Sequence, residues 1–256
     1  MGSSAPDGRG ERVSTSWEAD EIAAGFEAYD DLPERILGYP CVFDALRLDD
    51  ATRVLDYGCG PGKVAERIVG DYGCAVVAVD SSPAMLTIAQ RERAHPRIDY
   101  HHVSGEQLSF LADGSIDAAM ACYVCINIGS LDRIKSIVAE MYRVLRPGGR
   151  YAVLDTNPNT TGVQFSTFRS GEPGRRYSTG QQRRVLLRRP DGQGLELIDY
   201  HWPSRTYREV LAGAGFRDIT LHEPVSGEGE RPSKPHGPAW GNETTRPPFL
   251  IVVGEK

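Results

Sequence analysis

Asp56-Tyr57-Gly58-Cys59-Gly60-Pro61-Gly62 is the stretch that decides the fold. It follows a short apolar run, Thr52 to Tyr57, and precedes a helical pattern that opens at Lys63. Glycine carries no Cβ, so a ligand can come up against the backbone of such a turn. In open α/β sheets, ligands settle beyond the carboxyl ends of the strands. A second apolar run, Cys74 to Asp80, also ends in an acid, placed where a carboxylate can accept hydrogen bonds from both hydroxyls of a ribose. The spacing is G-x-G-x-G, with Lys63 where the third glycine of a dinucleotide G-x-G-x-x-G would fall. Asp56 stands just ahead of the turn, where it repels a pyrophosphate and suits a ligand with positive charge, such as a sulfonium or an ammonium.

Working outward from the turn, strand and helix patterns alternate. Pro83 to Arg93 reads as a helix, Ile98 to Val103 and Ile116 to Tyr123 as strands, Leu131 to Leu145 as an amphipathic helix and Arg150 to Asp155 as a strand. Such alternation predicts βαβ units, a mostly parallel sheet and helices on both faces. After Asp155 the rhythm breaks. Asn157 to Gly180 is polar and reads as a loop. Arg183 to Arg189 and Leu195 to His201 flank Pro190-Asp191-Gly192, which predicts an antiparallel hairpin. A helix from Arg205 to Ala214, strands at Phe216 to His222 and Pro248 to Val253, and a long loop from Pro224 to Arg246 complete the chain. Ahead of the first strand, a helix opens near Trp17 with Ser16 as its N-cap and Ile22, Phe26 and Tyr29 on one face. A second helix, Pro33 to Leu46, is expected to bend at Gly38-Tyr39-Pro40.

The 256 residues suffice to bury a sizeable core without disulfides or metals. A net charge of −6 argues against a broad nucleic-acid-binding face. No apolar run is long enough to span a membrane, and Met1 to Ser16 reads as a polar tail without the apolar core of a signal peptide, so a cytoplasmic location is expected. The five cysteines are odd in number and scattered. Cys122-Tyr-Val-Cys125 lacks the partners of a zinc site, so buried thiols are expected and no metal.

On these motifs the chain resembles class I S-adenosylmethionine-dependent methyltransferases, and among them the bacterial enzymes that tailor secondary metabolites such as antibiotics. The family's acid and G-x-G-x-G match Asp56 to Gly62. Its second motif matches Asp80-Ser81-Ser82-Pro83-Ala84-Met85-Leu86, a third Gly114-Ser115-Ile116-Asp117, and a fourth Arg143 to Gly149. The resemblance covers about residues 54–155. It implies a Rossmann-like α/β fold: a seven-stranded, mostly parallel sheet with an antiparallel last strand and helices on both faces. It implies residues 31–256 as one methyltransferase domain with a hairpin cap at about 156–203, and residues 1–30 as a polar tail with a helix that closes as a lid or swaps to a neighbour. S-adenosylmethionine is the implied cofactor and S-adenosylhomocysteine its product. Asp56, Gly58, Cys59, Gly60 and Gly62 are then expected along its methionine and ribose, Asp80 on the ribose hydroxyls, and Ser81 and Met85 beside the adenine. Where relatives carry an acid for the adenine amine, this chain has Ser104-Gly105-Glu106, so Ser104 or Glu106 is expected to serve. Ala121, Cys122 and Tyr123 are expected at the methyl-donor end.

Methyl transfer from a sulfonium leaves the protein chiefly to align, dehydrate and stabilise charge. Tyr29, Tyr123 and His201 are the candidate catalytic residues, and each also has a plain packing explanation. Arg169, Arg175, Arg176, Arg183, Arg184, Arg188 and Arg189 make the hairpin region basic; a solvated face is expected, with an anion site as the alternative. The acceptor is expected to be a small organic molecule, methylated on N, O or C. Alternatives are methylation of RNA or protein, and a non-catalytic cofactor-binding scaffold. A homo-oligomer docked through Phe26 and Tyr29 of the N-terminal helix is a further possibility.

Overall fold

The computed structural model of the protein describes residues 14–227 and 240–256. Most of the polar tail and the middle of the loop expected at Pro224 to Arg246 lie outside the described residues. Seven strands form the main sheet: β1 (Arg53–Tyr57), β2 (Ala75–Asp80), β3 (Ile98–His102), β4 (Ile116–Cys122), β5 (Leu145–Thr156), β9 (Arg217–His222) and β10 (Phe249–Glu255). Their order is β3-β2-β1-β4-β5-β10-β9. The inner pairs run parallel, and β10 runs antiparallel to both β5 and β9. The sheet is thus the Rossmann-like methyltransferase arrangement. From β1 the chain steps first to β2 and β3 on one side, then crosses to β4 and β5 on the other. The carboxyl end of β1 is therefore the switch point, where a crevice opens between diverging connections.

Helices α3 (Lys63–Tyr72), α4 (Pro83–Glu92), α5 (Leu131–Val144) and α6 (Ser204–Ala214) supply the crossovers. Alternation along each strand divides the core between the two faces of the sheet. Val54, Met120 and Leu154 pack on one face with α2 (Tyr39–Leu46) and α3, while Leu55, Ala121 and Val153 pack on the other with α5 and α6.

Several expectations are corrected. Strand β6 (Phe168–Ser170) lies inside the stretch read as a loop; it pairs with β7 (Gln181–Arg188), which pairs with β8 (Gly194–His201), so the hairpin is a three-stranded sheet. Three residues are too short to show periodicity in sequence. Helix α1 spans Asp20–Glu27 with Ala19 rather than Ser16 at its N-cap, and Tyr29 lies just beyond its end. The bend expected at Gly38-Tyr39-Pro40 is a π-helical turn, Glu34–Gly38, that runs straight into α2. Pro40 has no N–H to donate, and the widened turn precedes it. Arg183 is not on a solvated face: β7 alternates, and Arg183 points inward with Val185 and Leu187.

Phe43 is fully buried between α2 and the sheet, stacked on Tyr39 and edge-on to Tyr72. Phe43→Ala is expected to cost about 3–5 kcal/mol, the usual range for an aromatic removed from a packed core. Urea unfolding checks it, and a loss below about 1 kcal/mol would contradict this packing.

Candidate active site

A cavity of about 360 Å³ opens above the carboxyl ends of β1, β2 and β4. Its floor is the glycine turn. The Gly58 and Cys59 N–H groups both donate to the Val79 carbonyl, at 2.7 and 2.9 Å, which fastens the turn to β2. Gly58 has φ +78°, and a Cβ there would sit 2.4 Å from Val124. Gly60, at φ +52°, has open space where its Cβ would be, so its backbone faces the cavity bare. The Gly60 N–H donates to Asp80 Oδ2 at 2.7 Å, and Ser82 N–H to Oδ1 at 2.8 Å. Each carboxylate oxygen has a second lone pair, so Asp80 keeps acceptor capacity toward the cavity. Gly62 starts α3 and is turned towards Tyr100, out of the lining.

Asp56 is 1% exposed, and its Oδ2 has no hydrogen-bond partner. Burial, and then the charge of Asp80, push its carboxyl up to about 7. A cation beside it would reverse that shift. An orphaned buried carboxylate next to bare glycine backbone fits the sulfonium and ammonium of S-adenosylmethionine, with the ribose on Asp80. Ser81, Met85, Ser104, Gly105 and Cys122 also line the cavity.

Three other expectations are corrected. Glu106 does not itself line the cavity; it pairs at 2.8 Å with Arg133, which does, and that hydrogen bond holds its carboxyl below the usual range. Ser104 is left as the lining side chain for the adenine edge. Ala121 packs on the opposite face of the sheet, as strand alternation requires once Cys122 faces the cavity. His201 ends β8, half-buried beside Tyr177, and does not line the cavity. Burial and nearby Arg183 push it down to about 4, so it is neutral at pH 7.

The roof comes from the N-terminal segment. Trp17, Phe26 and Tyr29 form an aromatic chain, edge-on at 5.4 Å and stacked at 6.3 Å, and all three line the cavity. Thr15 exchanges hydrogen bonds with both backbone groups of Ile198, and Ser82 donates to the Trp17 carbonyl at 2.7 Å. Lys63 donates to the Glu27 carbonyl at 2.6 Å, and Arg93 pairs with its carboxylate at 2.6 Å. Phe26 and Tyr29 thus both face this chain's own cavity, Tyr29 buried there and Phe26 partly so.

The residues that sequence reasoning missed sit beneath this roof. Glu34, on the π-helical turn, is 4% exposed. Tyr29 donates to its Oε1 at 2.9 Å and shares a 2.9 Å hydrogen bond with Thr167. Glu34 Oε2 and the Tyr123 hydroxyl are both buried and complete no hydrogen bond of full geometry, although Tyr123 lies close enough to act on the Glu34 carboxyl as a donor. Tyr123 sits at φ +59°, a conformation unusual for a bulky residue. Tyr39 lies within electrostatic reach of both Glu34 and Asp56, which joins this cluster to the turn. Burial pushes the three phenols well above their ordinary values. The far wall holds a buried ion pair, Arg183 to Asp199 at 2.6 Å, with Thr156 on the same guanidinium. The one sequence signal for Glu34 was its place three residues before Leu37, on the buried side of the turn.

The chain is 37% identical over 249 residues, 94% of its length and 99% of the relative's, to an N-demethylindolmycin N-methyltransferase of Streptomyces griseus. It belongs to the S-adenosylmethionine-dependent methyltransferase family. A methyltransferase domain model matches residues 54–149. A ubiquinone/menaquinone biosynthesis C-methyltransferase of Desulfotalea psychrophila is 33% identical over 177 residues, 66% of this methyltransferase and 67% of that one. The structure of the CcbJ methyltransferase from Streptomyces caelestis aligns with a TM-score of 0.61 at 18% identity, over 94% of this chain and 98% of that one; at that identity it shows the fold.

Two outcomes follow. Asp80→Ala removes a charged acceptor worth roughly 1.5–3 kcal/mol. S-adenosylmethionine affinity, measured by calorimetry, should fall about 10- to 100-fold; unchanged affinity contradicts the placement of the ribose. The second concerns pH. Asp56 is held near 7 and Glu34 near 8, above their ordinary values. Ionising them costs more in the folded than in the unfolded chain. Their contribution is full below their ordinary pKa values and lost as pH rises through the folded ones. The low value of His201 acts oppositely but only below about 6.5. Ligand-free protein should therefore lose thermal stability between pH 6.5 and 8, and Glu34→Gln should flatten that slope. A stability that rises across this window overturns the buried-carboxylate account.

Proposed function

We propose that this methyltransferase transfers the methyl group of S-adenosylmethionine to a small organic molecule, a secondary metabolite or its precursor, leaving S-adenosylhomocysteine. The observation that carries this is the partial cover over the cavity and its largely apolar lining. Helix α1 and its flanks roof it, and β6, β7 and β8 wall it with Phe168, Val185, Leu187 and Leu197. A pocket roofed and walled in this way, apolar with a few convergent polar groups, suits a small molecule better than a macromolecule. The likeness to a Streptomyces N-methyltransferase along nearly the whole chain supports the same reading. We infer further that residues 31–256 act as one domain with the segment at about 156–203 as its cap, and that the helix within residues 1–30 serves as the lid.

When bound, the sulfonium supplies an electrophilic methyl carbon. Asp56 would hold the methionine ammonium, Asp80 the ribose hydroxyls, and Ser81, Met85 and Ser104 the adenine. Trp17 and Phe26 exclude water above, and Tyr29 and Tyr123 bound the space where the acceptor lies. Excluding water and fixing the approach line are the principal contributions a protein makes to such a displacement.

Little in the structure favours a macromolecular acceptor. Arg184 faces Glu172 and Glu196, Arg169 faces Glu172, Arg189 faces Asp191, and Arg183 is buried on Asp199. Among the described residues, no helix is long and apolar enough to cross a membrane.

Protein incubated with methyl-labelled S-adenosylmethionine and a small-molecule extract of its host should yield a labelled small product by mass spectrometry. Label found only in RNA or protein overturns the small-molecule reading.

A further inference from the structure

We infer that Glu34 and the tyrosines around it form a binding site for the amine of an arylalkyl amine acceptor, with Glu34 Oε2 receiving the proton that leaves the nitrogen. The inference rests on the proposed small-molecule methyl transfer and names the acceptor class of that same cavity.

Three observations meet here. The first is geometric. Glu34 is nearly fully buried and lines the cavity; one of its oxygens is held by Tyr29, and the other has the Tyr123 hydroxyl as its neighbour but completes no hydrogen bond of full geometry. Leaving a buried acceptor unmade costs the desolvation of that group, so the position favours a ligand that brings an N–H or O–H. The Tyr123 hydroxyl, equally buried and unpartnered, offers the same ligand a complementary contact. The second is electrostatic. The groups that face Glu34 are Tyr29, Tyr39 and Tyr123, with Asp31 adding negative charge; Asp31 is held by Arg35 at 3.0 Å. Asp56 adds its charge at Tyr39. Acids and tyrosine rings stabilise a cationic nitrogen, the rings through their faces. A phenolate acceptor would be repelled by the same charges. The third is the apolar wall of Phe26, Phe168, Leu187 and Leu197, which accommodates the ring and linker of such an amine.

The chemistry balances. The bound ammonium first gives one proton to Glu34 Oε2; the freed nitrogen lone pair then forms the new N–C bond, the C–S bond breaks with its electrons on sulfur, and the sulfonium charge passes to nitrogen. The methylated ammonium leaves as product, and Glu34 returns its proton to water. Burial, with Asp31 nearby, pushes the Glu34 carboxyl up to about 8, so it is a competent acceptor for that proton.

Calorimetry on protein saturated with S-adenosylhomocysteine tests this, with benzylamine, 2-phenylethylamine and 3-phenylpropylamine as probes beside their matched alcohols. At least one amine should bind ten or more times more tightly than its alcohol. Taking up an ammonium at an ionised Glu34 releases a proton below about pH 8, so amine affinity should rise several-fold per pH unit from 6 to 8 while alcohol affinity stays flat. Glu34→Gln, which mimics the neutral carboxyl and keeps the fold, should erase both the preference and the slope, leaving S-adenosylhomocysteine affinity unchanged. Tyr123→Phe should weaken amine binding and keep the slope. Amines that bind no better than alcohols, or a preference and slope that survive Glu34→Gln, overturn the inference. Failure of every amine in a protein that binds S-adenosylhomocysteine overturns it while leaving the methyltransferase intact. Failure to bind S-adenosylhomocysteine instead removes the proposed function beneath it.

Discussion

The molecule depends on the attachment of one turn to its neighbouring strand. Gly58 and Cys59 hang from the Val79 carbonyl, and Gly60 from the Asp80 carboxylate. These bonds hold three consecutive amides against β2 just where the sheet changes direction. The turn needs positive φ at Gly58 and Gly60, and at Gly58 Val124 also excludes a side chain. The result is a bare floor with one carboxylate tied down and another, Asp56, left without a partner. A fold stabilised elsewhere tolerates such an orphan, and a cation bound beside it would resolve it.

The second set of strained and unpartnered groups lies close to the first. Tyr123 in a left-handed conformation, the π-helical turn under Glu34 and two unpaired buried oxygens all fall on one side of the same cavity. The remaining buried ion pair, Arg183 with Asp199, has both its partners and Thr156 to complete it. The contrast is between a polar pair completed within the fold and polar groups left open beside the cavity. The N-terminal segment then closes the space through Thr15, Trp17 and Glu27, each tied to a different element below.

Much of the fold was legible in the sequence, because apolar strands ending in Asp56 and Asp80 and the amphipathic helix at Leu131 carry strong periodicity. The floor of the cavity was legible for the same reason: Asp56, Gly58, Gly60 and Asp80 lie at strand ends, which the glycine turn marks. Arg183 was misread because its charge outweighed an alternation with Val185 and Leu187 that was present. Glu106 was misplaced because nothing local in sequence announces Arg133, 27 residues away. Glu34 was missed for a deeper reason. A charged residue in a helical stretch reads as solvent-facing, and only the roof over it, assembled from Tyr29, Thr167 and Tyr123, makes it buried. Sites built by elements far apart in the chain leave no spacing to read.

The most direct test of the account is a crystal structure with S-adenosylhomocysteine bound. The account predicts the amino group within hydrogen-bond distance of Asp56 Oδ2, the ribose hydroxyls on Asp80, and the sulfur pointing to the space between Tyr29, Glu34 and Tyr123. A ligand whose ribose lies elsewhere, or whose sulfur faces away from Glu34, would contradict it.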